Sequence, residues 1–308
     1  MTSAGARARP PAPGVRGAAR GACTRLPLGY TGAVLTVLTG LLTSLSYASS
    51  DLMSQRVTRA TRALTQIVWV LATGVALVLP VALAVDGLPT GGEWRGAGLA
   101  ALAGVVYFFA LFCLLRGLRV GDLGLVSALT ALQGAYVAVV VVVLGEPLTP
   151  LLGAALALCA CGAVLTSFEG RARSTRGAPW ALTAGVLFAA VMLCYAYGDI
   201  GWLSQAAISR TVSLVVALPV ALLTGGATVP RGLRPWALGA GALELSGLVL
   251  LTITFALGPP AVAGVTTTQF GTFAVVLGFV LLRERPRPNQ WVGIVAAIGG
   301  VSLLAAIV

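Results

Sequence analysis

The sequence predicts an all-α polytopic membrane protein, with about ten transmembrane helices arranged as two inverted five-helix repeats. Three observations predict it. Of 308 residues, 58% are hydrophobic and 9% charged, against roughly 25% charged in an average soluble domain. The apolar residues fall in runs long enough to cross a bilayer, which takes about 20 residues per helix. The second half of the chain also repeats distinctive residues of the first at a fixed offset.

A water-soluble chain of this length needs more polar surface than this one supplies, so its solvent is mostly lipid. Net charge is +11, and the basic residues are all Arg, with no Lys and no His. These Arg are scattered between apolar runs rather than gathered into one face. That argues against nucleic acid and for membrane-flanking positions. The lack of His removes the commonest proton shuttle and metal ligand. Cysteines stand at Cys23, Cys113, Cys159, Cys161 and Cys194. Cys159 and Cys161, two apart, would point to nearly opposite sides of a helix and make a poor metal clamp. Four of the five lie inside apolar runs and read as small buried hydrophobes, not a disulfide framework.

Residues 1–27, rich in Arg, Pro, Gly and Ala, read as a disordered tail. A signal peptide is the rival reading, with Ser46-Tyr47-Ala48 as a cleavage site, but the run before it exceeds the roughly 7–15 residues of an h-region. Apolar runs follow at 28–50, 63–85, 96–116, 123–144 and 150–167, which make a first repeat over 28–168. After a linker at 169–177, runs at 178–197, 204–225, 233–257, 260–282 and 288–308 make a second repeat over 178–308. Asp86-Gly87-Leu88-Pro89, Gly145-Glu146-Pro147, Gly225-Gly226 and Gly258-Pro259-Pro260 supply turns. Trp94, Trp180, Trp202, Trp236 and Trp291 lie near helix ends, where interfacial anchors belong. Such runs must satisfy their own backbone hydrogen bonds in lipid, so they are helices; the dyad alternation of a membrane barrel is absent.

Sliding the sequence by 138 brings Leu144 onto Leu282, Glu146 onto Glu284, Pro150 onto Pro288 and Gly162 onto Gly300. At the beginnings, a slide of 148 pairs Asp51 with Asp199 and Arg62 with Arg210, which implies a second half shorter by ten. Coincident Glu, Pro, Asp and Arg pairs are hard to obtain by chance and point to duplication. An odd number of helices per copy makes the second half enter from the opposite face. Inverted repeats of that kind are widespread in secondary transporters, with the site near the midplane.

Residues 110–165, from ALFCLLRGLRVGDLG to LTPLLGAALALCACGAVL, resemble the end of an EamA-type repeat, as does the stretch from LTITFALGPP to WVGIVAAIGGVSLL. EamA domains belong to the drug/metabolite transporter superfamily, and the likeness covers about residues 28–308. Its most specific element is the Glu turn, occurring twice, followed by a Gly-bearing helix. The resemblance implies a ten-helix inverted-repeat fold, both termini in the cytoplasm, and transport, often export, of amino acids or other small metabolites. The sequence departs from the pattern in four places. Gln133 and Gly271 stand where the family commonly has Pro, Ala155 where Gly is expected, and Arg283 where Gly precedes the second Glu.

Glu244 is the one carboxylate well inside an apolar run. A lone ionised group at midplane costs several kcal/mol, so it is expected to face a cavity or to be protonated. Its functional readings are recognition of a substrate amine or proton coupling, with Arg210 or Arg62 as ionic partner. The plain alternative is a protonated Glu bonded to a neighbouring helix. On the fourth helix Thr130, Gln133 and Tyr136 share a face, and on the ninth Thr268, Gln269 and Thr272 form a comparable stripe. These stripes either line a central cavity or join helices to one another, as Thr and Gln often do in membranes. Tyr107 on the third helix is a further candidate. Glu146 and Glu284 are expected on opposite faces, capping the following helices. Asp51 and Asp199 are expected at helix ends, structural or gating. Gly153 with Ala157, and Gly293 with Ala297, are small residues four apart that permit close packing, within the monomer or in a homodimer.

No phosphate loop, nucleophile elbow or zinc-ligand pair is present, so an enzyme is not expected and no cofactor is. The expected function is a secondary transporter, an exporter of a small polar metabolite, amino acid or drug across the cell membrane. The energy source is then an ion gradient or the substrate's own. A non-transporting scaffold or sensor is the alternative. The expected partners are a small-molecule substrate and the lipid bilayer. Two arguments disagree on orientation. Loops after odd-numbered helices hold 13 Arg, against six on the other side, five of them in the tail. The positive-inside rule therefore sets the termini outside, opposite to the arrangement the resemblance implies.

Overall fold

The computed structural model describes residues 29–58, 60–87, 89, 92–120, 126, 129–145, 149–167, 176–224, 228–282 and 288–307. Among these all regular structure is helical. In the first half the helices are α1 (Gly29–Thr58), α2 (Ala63–Val85), α3 (Trp94–Val120), α4 (Gln133–Val143) and α5 (Pro150–Ser167). In the second they are α6 (Ala178–Ala196), α7 (Trp202–Leu223), α8 (Arg234–Leu257), α9 (Pro260–Thr266), α10 (Phe270–Leu282) and α11 (Pro288–Ile307), with a 3-10 turn at Arg231–Leu233 before α8. Five described segments, in α2, α3, α6, α7 and α8, are long and apolar enough to cross a membrane, while α4, α5 and α11 contribute shorter apolar stretches. Tail residues 1–27, Cys23, Glu146, Arg283 and Glu284 lie outside the described residues.

Two expectations change. The ninth helix, expected unbroken over 260–282, is interrupted by a turn at Thr267–Gln269 between α9 and α10. The fourth, expected over 123–144, has a turn at Ala131–Leu132 just before α4. Both turns fall where the Thr and Gln stripes are, and such side chains re-satisfy backbone groups that a break releases. The second change concerns the offset. Arg62 precedes the first residue of α2, whereas Arg210 lies well inside α7, so the two are not equivalent. Pro80 in α2 and Pro219 in α7 stand equally far from their helix starts, which aligns these helices at a slide of 139. That value is close to the 138 of the ends, so the slide of 148 does not extend to these two helices.

The five expected anchor tryptophans all sit in the first turn of a helix: Trp94 on α3, Trp180 on α6, Trp202 on α7, Trp236 on α8 and Trp291 on α11. Gly87 ends the turn after α2 at φ 75°, a left-handed conformation that residues with a Cβ rarely adopt.

Packing runs chiefly between the halves. The strongest pairs are α1 with α8, α5 with α11, α3 with α6, and α2 with α7. Exchanging the copies turns the α1–α8 pair into α6–α3 and returns α2–α7 and α5–α11 to themselves. The bundle therefore has an internal two-fold. The contacts also fix directions. Arg62, before α2, donates to Thr224 O at the end of α7, while Asp86, after α2, accepts from Ser204 at the start of α7. So α2 and its counterpart α7 run antiparallel. The same holds for α5 and α11, where Gly162 meets Ala297 and Thr166 meets Gly293. A Cβ on Gly162 would fall 2.5 Å from Ala297 N, so this interface is backbone against backbone. Gly293 and Ala297 take part in it, whereas Ala157 is exposed. Cys159 is buried and Cys161 exposed, on opposite sides as their spacing predicts; Cys161 is thus not the buried hydrophobe expected of it.

Charge is segregated along the bundle. Arg56, Arg62, Arg116, Arg176, Arg231 and Arg234 sit at the end where α1, α3 and α7 finish and α2, α6 and α8 begin. Arg56 stacks on Trp236 at 4.4 Å and Arg116 lies 6.0 Å from Trp180. The opposite end holds Asp86, Glu93 and Asp199, with Arg95.

Candidate functional site

Midway along α7 and α8 two charges meet. Arg210 is 1% exposed and Glu244 7%, and the guanidinium Nη2 donates to Glu244 Oε1. Taking either charge out of water costs several kcal/mol, which mutual attraction and further hydrogen bonds must offset. Tyr107 of α3 supplies one, its hydroxyl donating to the same Oε1. Its ring also lies under the guanidinium, 4.7 Å from centroid to Cζ, and edge-on to Phe188 at 5.7 Å. Gly74 of α2 lies against the Arg210 stem, with an ideal Cβ position 3.6 Å from it. The cluster thus draws Tyr107 from the first half and Arg210 and Glu244 from the second.

Glu244 is not a lone charge. Its partner is Arg210; Arg62 is at the bundle end, donating to Thr224 O. Two buried atoms of the pair have no hydrogen-bond partner, Glu244 Oε2 and Arg210 Nε. All contacts converge on Oε1, which leaves one acceptor and one donor unused.

The aromatic wall continues on α1 and α6. Tyr47 packs on Gly247, one turn from Glu244, where a Cβ would lie 2.7 Å from the ring. Tyr195 shares a 2.6 Å hydrogen bond with Ser209, next to Arg210. One turn beyond Tyr47 on α1, Asp51 is exposed.

The polar stripes do other work. Thr130 donates to Val126 O at 2.8 Å, and Thr268 to Val265 O at 2.9 Å. Gln269 reaches across to Cys159 O of α5 at 3.3 Å, and Thr272 shares a 3.3 Å hydrogen bond with Thr166. These residues join α9 and α10 to α5, and no described hydrogen bond ties them to Glu244. Tyr136 is half-buried against Gly185. Gln133, at the start of α4, is buried with Oε1 unpartnered. The structure therefore unites Tyr107 and Glu244 and keeps the other candidates around the helix breaks. Reading the sequence alone left Tyr47 out and ranked Arg210 low, although an Arg inside an apolar run is itself a signal. No group of three metal-ligating side chains occurs among the described residues.

The EamA-like transporter family matches the chain over residues 34–168 and again over 175–306. A crystal structure superposes with a TM-score of 0.72 and 16% identity, covering 87% of this chain and 95% of its own. At that identity the likeness is one of fold. No curated protein matches.

Proposed function

The chain belongs to the EamA-like transporter family, and from that premise we propose that it exports a small polar metabolite, amino acid or drug across the cell membrane. The EamA family consists of transporters, and the apolar helices make this a membrane protein. In the proposed mechanism ten spans form two inverted halves that rock about a shared centre. The antiparallel course of α2 against α7 and of α5 against α11 supports the inversion, since corresponding helices then cross the bilayer in opposite senses.

One observation carries the reading: the Arg210–Glu244 pair, buried at mid-height and completed by Tyr107 from the other half. Ion pairs of this kind are often less stabilising than apolar residues of the same volume. A scaffold or sensor has no use for one at the centre of an apolar bundle. A carrier does, because a substrate needs polar partners where the membrane offers none, and rocking of the halves would move Tyr107 relative to Arg210 and Glu244. Glu244 Oε2 and Arg210 Nε are the groups left for it.

Proteoliposomes loaded with candidate metabolites test this, comparing the wild type with Glu244→Gln. Efflux should fall by at least about tenfold, the loss of one charge-assisted hydrogen bond. Unchanged efflux removes Glu244 from the mechanism.

A further inference from the structure

We propose that Asp51 is a second carboxylate of the site, standing at its mouth, and that the two acids select a small organic cation with a primary amine. The inference rests on the transport reading given above and names the substrate class.

Asp51 lies one helical turn from Tyr47 on α1. The register of α1 against α8 places it. Thr39 bonds Thr254, Tyr47 packs on Gly247, Ser50 donates to Ala240 O at 2.9 Å and Met53 packs on Gly239. These pairs set Asp51 level with about Gly241, one turn from Glu244 toward the arginine end, roughly 5 Å along the axis. Asp51 is exposed, whereas Glu244, one turn away, is buried. An exposed acid one turn from a buried one stands where a ligand coming from the arginine end would first meet the pair.

Charge selects the visitor. Asp51, Glu244 and Arg210 sum to one negative charge. The positive member is the deepest, 1% exposed and stacked on Tyr107, so what meets such a ligand is the carboxylate of Asp51. Arg56 and Arg62, the nearest described arginines along the chain, are turned to Trp236 and to Thr224 O. Asp51 itself has no hydrogen bond or ion pair with a described residue. The second, independent sign is Glu244 Oε2, buried, accepting from nothing, beside an Oε1 already doubly bonded. An acceptor so placed calls for an N–H donor of positive charge. A primary amine supplies it and also satisfies Asp51 on the way in. Arg210 keeps Glu244 neutralised when no substrate is present, so the empty carrier needs no co-ion to bury that carboxylate.

The test uses the full chain in liposomes with three labelled probes: ethanolamine as cation, glycine as zwitterion and isethionate as anion. Ethanolamine flux should exceed that of the other two. Asp51→Asn should raise the half-saturating ethanolamine concentration about tenfold, the effect of one lost charge near a surface, with maximal rate much less changed. Asp51→Glu should recover most of the affinity, and choline, which has no N–H, should compete poorly. If glycine or isethionate moves and Asp51→Asn is without effect, the cation proposal is overturned while transport stands. If none of the three probes moves, both are overturned. Asp51→Asn protein that does not elute as the wild type does is replaced by Asp51→Ser, with the same expectations.

Discussion

Asp86, just past the end of α2, accepts hydrogen bonds from Ser204 N at 3.0 Å and Ser204 Oγ at 2.8 Å, in the first turn of α7. It does so as a cap borrowed from the other half. The residue in the capping position of α7 is Gly201, which has no side chain to offer. That absence is also what admits Asp86, because a Cβ on Gly201 would fall 2.7 Å from Asp86 Oδ2. At the far end of α7, Arg62 donates to Thr224 O. An acid at the N-terminus and a base at the C-terminus both suit the helix dipole. The helix that carries Arg210 is thus held at both ends by residues flanking its antiparallel counterpart.

Asp86→Ala should lower stability by about 1 kcal/mol, the usual worth of a helix cap. Gly201→Ala should cost as much by a different route, forcing the carboxylate out. The double variant should cost little more than either single, since both remove one contact. Thermal unfolding of the purified protein in detergent measures all three. Additive losses would mean that Gly201 and Asp86 act independently.

Arg210→Gln should be the most damaging single substitution in the cluster, about 3–5 kcal/mol, because it leaves Glu244 buried and uncompensated. Arg210→Gln combined with Glu244→Gln should recover much of that loss, although the double variant has no ion pair at all. The comparison separates the cost of an orphaned charge from the worth of the pair. A double variant less stable than Arg210→Gln alone would refute the account.

The long helices, the two copies and the polarity of their ends were legible because lipid imposes them: run length, Trp position and Arg position are each one-dimensional signals. Glu244 and Tyr107 were legible as misfits in apolar runs. Their meeting with Arg210 was not, since α3, α7 and α8 come together only through packing between the halves. Breaks at Thr267–Gln269 and Ala131–Leu132 were hidden as well, because the flanking runs are apolar throughout and carry no Pro at the turn. Asp51 read as a helix-end residue because α1 continues to Thr58, farther than its apolar run. The offset of 148 came from matching like charges; the proline pair Pro80 and Pro219, one in each of two corresponding helices, went unused.

Gly162→Val should separate α5 from α11. Its first added carbon already meets Ala297 N at 2.5 Å, and the facing element is backbone that has nowhere to go. Overpacking of this sort costs about 1–3 kcal/mol. Gly98→Val is the control, with nothing within 4 Å of an added Cβ, and should behave as the wild type in thermal unfolding. Equal stabilities would show that the α5–α11 interface opens freely.

The segregation of charge bears on which end faces the cytoplasm. Six described arginines border one end and Arg95 alone borders the other, which also holds Asp86, Glu93 and Asp199. The positive-inside rule counts Arg close to helix ends in short loops, and all of these qualify. It places the arginine end in the cytoplasm, where an exporter's substrate arrives and toward which Asp51 lies. Gly232 at that end and Gly92 at the other both have open space around them, so cysteine fits at either without disturbing the fold. In a background lacking the native cysteines, a membrane-impermeant maleimide added to intact cells should label Gly92→Cys and spare Gly232→Cys until the membrane is opened. The reverse pattern would set the arginine end outside, as the family resemblance implies, and would make Asp51 face the exit rather than the approach.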